Sequence, residues 1–162
     1  MASTAALVEF DPDTSEELVF SIQDIADCFY QFAIPDELAA MFGLRPVPAV
    51  DLGILEIDGT PVAPDCVIVP CFCVLPMGFS YALQWTQESH RHLLMQGGLG
   101  GVERECLDRR PPPAPLGGDL GRVVYVDNEA FIATKEHTAS KCRRAAAACL
   151  EGHGLPPSRS GG

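Results

Sequence analysis

The chain has 162 residues, 47% of them apolar and 20% charged, with a formal net charge of −11. That length supports one domain with a core of its own, and the composition excludes a disordered or fibrous chain. No apolar run approaches a membrane span, and the start "MASTAALVEFDPD" lacks the basic-then-apolar order of a secretion signal, so an intracellular protein without a membrane partner is expected.

Residues 1–16 form an acidic lead without periodicity, expected to be disordered. "ELVFSIQDI" (17–25) alternates as a strand, with Leu18, Phe20, Ile22 and Asp24 on one face. "ADCFYQF" follows as a turn or short helix. "PDELAAMFGL" (35–44) predicts a helix opened by Pro35 and closed by Gly43. Asp58-Gly59 between apolar runs signals a hairpin, and "CVIVPCFCVL" (66–75) a buried strand with Pro70 at a bulge or edge. In "PMGFSYALQWTQESHRHLLMQGG", Ser80 is placed to cap a helix whose apolar face takes in positions 79, 82, 83, 90, 93 and 94, and Gly97-Gly98 to end it. His90 and His92 are two apart on that helix, a poor ligand spacing, and are expected at the surface.

Residues 98–120 read as a loop, because "RRPPPAPLGGD" is too rich in Pro and Gly for regular structure. "GRVVYVDNEAFIATKE" (121–136) reads as a hairpin, with strands over 121–126 and 130–134 and a turn at Asp127-Asn128-Glu129. "TASKCRRAAAACLEGHG" (138–154) predicts a helix burying Ala139, Cys142, Ala146, Cys149, Leu150 and His153, and residues 158–162 a tail. Together these elements argue an α+β fold with helices on one face of an antiparallel sheet.

The charge is unevenly spread. Up to Glu88 there are 14 acidic residues against one basic residue, Arg45, whereas from Ser89 onward 10 Lys and Arg face 8 acids. Such a field repels phosphate backbones unless a local patch reverses it. The seven cysteines, an odd number scattered through apolar runs, suit reduced, buried thiols better than a disulfide framework.

Three stretches carry chemistry. "SIQDIADCFYQF" sets Asp24 near a strand end, with Asp27 at +3 and Phe29 at +5. "VLPMGFSYALQWTQ" contains Leu75-Pro76-Met77-Gly78 ahead of a helix, and "VVYVDN" places Tyr125, Val126, Asp127 and Asn128 on the hairpin. In this order they resemble the palm of reverse transcriptases, the RNA-directed DNA polymerases of retroviruses and LTR retrotransposons, over residues 17–157. The resemblance implies a polymerase palm-like antiparallel sheet and two-metal nucleotidyl transfer. Asp24 and Asp127 would hold Mg²⁺ or Mn²⁺, with Asn128 beside them in the catalytic group. Asp27, Phe29 and Gly78 would form the nucleotide site, Phe29 as the sugar gate. Primer–template RNA or DNA and a deoxynucleoside triphosphate are the implied partners, bound weakly or not at all by this chain alone.

Two features depart from that pattern. Asn128 stands where the family has a second Asp, and none of the 23 residues before Asp24 is Lys or Arg. A palm fragment of a retroelement polyprotein is one reading, and a decayed, non-catalytic remnant binding protein partners is the other. Each residue also has a plain structural reading: Asp24 as a strand end, Asp127 as a turn residue, Phe29 as core, Gly78 as a turn before a helix.

Overall fold

The computed structural model describes residues 17–111, 113 and 119–158; the acidic lead, most of the Pro-rich run and the last four residues lie outside them. In chain order the described elements are β1 (Val19–Asp24), a 3-10 turn (Cys28–Gln31), α1 (Asp36–Ala39), β2 (Val47–Pro48), β3 (Glu56–Ile57), β4 (Thr60–Pro61), β5 (Val67–Ile68), α2 (Ala82–Gln96), β6 (Asp119–Tyr125), β7 (Asn128–Ala133) and α3 (Glu136–Gly152). The fold is mixed α+β with small antiparallel sheets. The main sheet has the order β1-β7-β6, and β2-β5 and β3-β4 form two-residue ribbons.

On the central strand β7, Glu129, Phe131 and Ala133 point to the same side as Gln23 and Ser21 of β1 and Val124 and Arg122 of β6. That side is buried, and α2 and α3 pack on it. The core joins Ile25, Cys28, Leu94, Val124, Phe131, Ala146, Leu150 and Leu155. Strand β1 therefore sits the opposite way from its apolar alternation: Phe20 and Ile22 are exposed, while Ser21 accepts a hydrogen bond from Arg143 Nε on α3 at 3.1 Å. Pairing with β7 fixes the register, and a register fixed by the inward residues of the central strand overrides the pattern of an edge strand.

Several expectations are corrected. The stretch 66–75 is not a buried strand: only Val67–Ile68 pair as β5, Val67 and Val69 are exposed, and Leu75 alone is fully buried. Pro70 cannot donate to a ladder, and its carbonyl accepts from Leu44 N at 2.7 Å instead. The helix at 35–44 is one α-helical turn that tightens into a 3-10 turn at Ala40–Phe42, because Leu44 is drawn to Pro70 and Gly43 bridges Cys71. Ser80 caps nothing; α2 begins at Ala82 with no side-chain cap. Within 98–120, Val102–Arg104 form a 3-10 turn and β6 starts at Asp119. On α3, Ala139, Ala146 and Leu150 are buried, Cys142 and Cys149 half-buried, and His153 exposed. All seven thiols are free, but only Cys28 and Cys106 are buried. Asp58-Gly59 does make its hairpin, with positive φ at both residues as a I′ turn demands. No described helix is long and apolar enough to cross a membrane.

Candidate functional site

The hairpin turn falls at Val126-Asp127, not at 127–129. Asn128 and Glu129 already belong to β7, with Tyr125 paired to Asn128 across the ladder. A two-residue link with positive φ at its first central position is the II′ pattern, which normally takes Gly there. Here it is Val126 at φ 57, an unfavourable setting for a β-branched side chain.

Two side chains on α2 hold the turn from beneath. Gln87 on α2 accepts from Val126 N–H at 2.7 Å through Oε1 and donates through Nε2 to Val124 O at 2.9 Å. His90 Nδ1 lies 3.0 Å from Val126 O, and its Nε2 lies 3.3 Å from Glu129 Oε2. Gln23 on β1 donates to Glu129 Oε1. A carbonyl only accepts, so Nδ1 carries the proton; a bond at Nε2 then needs a second proton, on that nitrogen or on Glu129. His90 is thus fully buried, against the surface position expected from spacing, because it bridges two elements 36 and 39 residues away in sequence. Gln87 and Glu129 carried no sequence signal beyond their place: positions 82, 86, 87, 90 and 94 form one helical stripe whose middle is polar.

Above this support stand the two acids. Asp24 ends β1 directly opposite Asn128, and Ile25 N–H donates to Asp127 O at 2.9 Å. The carboxylates therefore come from the end of β1 and from the adjoining β6–β7 turn, at one end of the sheet, both half-buried. Asp24 Oδ2 accepts from Ser158 Oγ at 2.5 Å, and Asp127 Oδ1 accepts from Asn128 Nδ2 at 2.8 Å. Each keeps a second oxygen with no hydrogen bond among the described residues, and no Lys or Arg pairs with either there. Ser158, expected in a loose tail, is seated on the site, with its N–H donating to Asp24 O at 2.7 Å and Pro157 bridging Ile25.

The nucleotide-site candidates lie on two other segments, the turn after β1 and the approach to α2. Asp27, exposed and left-handed at φ 48, opens the 3-10 turn that carries half-buried Phe29. That turn is joined to the second motif by Leu75 N–H donating to Phe32 O at 2.9 Å. Gly78, at φ 96 with open space where a Cβ would stand, supplies a left-handed turn ahead of α2. Phe79 behind it meets Phe42, Tyr81 and Trp85 edge-on, and Tyr81 stacks on Trp85. No group of three or more His, Cys, Asp or Glu suited to a metal gathers among the described residues; the centre offers two carboxylates and an amide.

Cys28 lies under both acids. Burial, then Asp127, then Asp24 push its thiol up to about 12. Since the thiolate is the reactive form, Cys28 should resist alkylation near about pH 8 in the native protein while exposed Cys66, Cys71 and Cys73 react. Peptide mass spectrometry after timed iodoacetamide treatment checks this. Modification of Cys28 as fast as Cys66 would mean that its cover opens readily.

No protein-family model matches the chain, and no curated protein matches it.

Proposed function

We propose that residues 17–157 form a reverse-transcriptase-like palm, an RNA-directed DNA polymerase module for two-metal nucleotidyl transfer from an intracellular retroelement polyprotein. One juxtaposition carries the reading. Asp24 and Asp127, 103 residues apart in sequence, stand at the end of β1 and in the adjoining β6–β7 turn with unengaged oxygens and no cationic partner among the described residues. Two such carboxylates suit Mg²⁺ or Mn²⁺, which take oxygen ligands and complete their shells with water and substrate phosphate. A divalent cation, when bound, supplies activation of a primer 3′-hydroxyl and neutralisation of triphosphate charge. The chain's own part is positional: Gln87 and His90 fix the turn, and the turn and β1 aim the acids. In this reading Phe29 gates the sugar, Asp27 and Gly78 border the nucleotide, and a primer–template and a deoxynucleoside triphosphate are the partners.

A second reading, a non-catalytic remnant acting as a protein-interaction domain, has its own observation. Asn128 Nδ2 and Ser158 Oγ are neutral donors already bonded to the two acids, and such bonds stabilise a carboxylate without a cation.

The variant Asn128→Asp separates the two readings. It replaces a donor to Asp127 with a third carboxylate. Calorimetric titration should show Mn²⁺ bound more tightly by the variant than by the parent, and added Mn²⁺ should raise the variant's Tm more, by linkage. Equal, negligible affinity in both proteins would favour the remnant, since Asn and Asp serve a β-strand end or turn about equally well.

A further inference from the structure

A cavity of about 590 Å³ lies on the helix side of the main sheet, between the loop after α2, the start of α3 and the beginnings of β6 and β7's inward face. Its position along β6 is set by Arg122, four residues before Val126, so it sits about 13 Å from the hairpin turn. It is separate from the paired acids.

The lining collects Arg104, Arg122 and Lys141 with His137 and Thr138, against one carboxylate, Glu103. In a chain of net charge −11 the lining is locally basic, although buried Glu105 and Glu129 behind it offset part of the Arg122 charge. Two observations bear on what it would hold. Glu103 is held below the usual carboxylate range by the N–H groups of Glu103 itself and Gly101, and Arg104 and Arg122 add to that effect. More tellingly, Arg122 is only 2% exposed, yet its Nε and Nη2 make no hydrogen bond. Its Nη1 donates to Leu99 O at 3.4 Å, and Nη2 stands 3.6 Å from Glu105 Oε2. Leaving buried guanidinium N–H groups unbonded is costly, and an anionic acceptor is the group that satisfies them best. Residues His137, Thr138 and Lys141 come from the first two turns of a 17-residue helix, whose N-terminal end favours negative charge as well.

We propose that this cavity is a binding site for a small phosphate-bearing molecule, with Lys141 and Arg104 at its mouth and Arg122 at its floor. The volume falls within the range of small-ligand pockets, and the planar guanidinium matches phosphate oxygens bidentately. A nucleic-acid backbone is the less favoured source of phosphate, because the chain's net charge of −11 opposes a long polyanion while a compact phosphate meets only the basic lining.

The test uses the full chain with inorganic phosphate as probe, titrated calorimetrically at neutral pH against sodium chloride of matched ionic strength. Saturable one-site binding is expected, about tenfold weaker in Lys141→Met, whose exposed side chain makes the fold safe to alter. Arg45→Met, which removes the same charge far along the chain from the cavity lining, should leave affinity unchanged. Absence of saturable binding, or equal loss in Arg45→Met, would overturn the proposal in favour of diffuse counter-ion attraction. Displacement of phosphate by a short oligonucleotide at lower concentration than by adenosine monophosphate would overturn the small-molecule assignment.

Discussion

Replacing Gln87 with Leu should cost about 3–5 kcal/mol of folding stability, a large share of the roughly 5–15 kcal/mol typical of a domain. The side chain is 3% exposed and serves two backbone groups at once, accepting from Val126 N–H and donating to Val124 O. Each group left unpaired in the interior costs about 1–3 kcal/mol. The loss is compounded by conformation. Val126 is held at φ 57, where a β-branched residue stores about 1–3 kcal/mol of strain that persists only while neighbours over-determine it. A second variant isolates that contribution. Val126→Gly relieves the strain but deletes a buried side chain, so on its own it should be nearly neutral. In the Gln87→Leu background it should be clearly less harmful than additivity requires, because a glycine turn no longer needs the clamp. Urea denaturation of the parent, both single variants and the double variant closes the cycle. A Gln87→Leu cost below about 1 kcal/mol would mean that the ladder and His90 hold the turn without it. For the acids the same loss has a second consequence: if Asp127 is a ligand, Mn²⁺ affinity in Asn128→Asp should fall when Gln87 is also replaced.

What could be read in the sequence follows from the range of the interactions. The β6–β7 hairpin, α2 and α3 were legible because alternation and helical spacing are local signals, and each ends within a few residues of its expected bounds. The two acids were placed by motif order, and strand pairing brings them to neighbouring positions. The support beneath them was not legible. Gln23, Gln87, His90 and Glu129 are polar residues that look solvent-facing, and only partners 36 to 106 residues distant make them interior. The turn was misplaced for a related reason. Asp-Asn-Glu has turn composition and Val126 does not, so local chemistry pointed one residue too far along until α2 supplied bonds to both polar groups of Val126. The stretch 66–75 failed differently. Its apolar residues suggested a buried strand, but Val67 and Val69 are exposed, and apolar composition does not itself bring burial when no layer lies over it.

The segment after α2 offers the other large effect. Glu105 is 3% exposed and lies beside β6, bridged to Arg122 through the backbone, with Cys106 N–H donating to Arg122 O at 2.8 Å. Its carboxylate accepts from Arg91 Nε at 2.9 Å and lies 3.6 Å from Arg122 Nη2, so one acid serves two guanidinium groups. Burial pulls Arg122 below its ordinary value, opposed by Glu105 and Glu129; the guanidinium stays charged, and those carboxylates compensate it indoors. Removing the acid by Glu105→Leu strands that charge and should cost about 3–5 kcal/mol. Arg91 is better placed to survive, because it also pairs with exposed Glu88 at 2.8 Å. The cluster is itself under-bonded, since Glu105 Oε1 and Arg122 Nε and Nη2 lack hydrogen bonds. It should therefore contribute little beyond mutual compensation, and replacing both members with apolar groups of similar volume is often neutral. Glu105→Leu with Arg122→Met should thus regain most of the loss, ending within about 1–2 kcal/mol of the parent. Denaturant titration of the four proteins measures the coupling directly. A double variant as unstable as Glu105→Leu alone would show that Arg122 stabilises the fold through its packing against the sheet rather than through its charge. Phosphate titration of the double variant adds an independent reading: with Arg122 gone, the cavity should lose its affinity even where stability has returned.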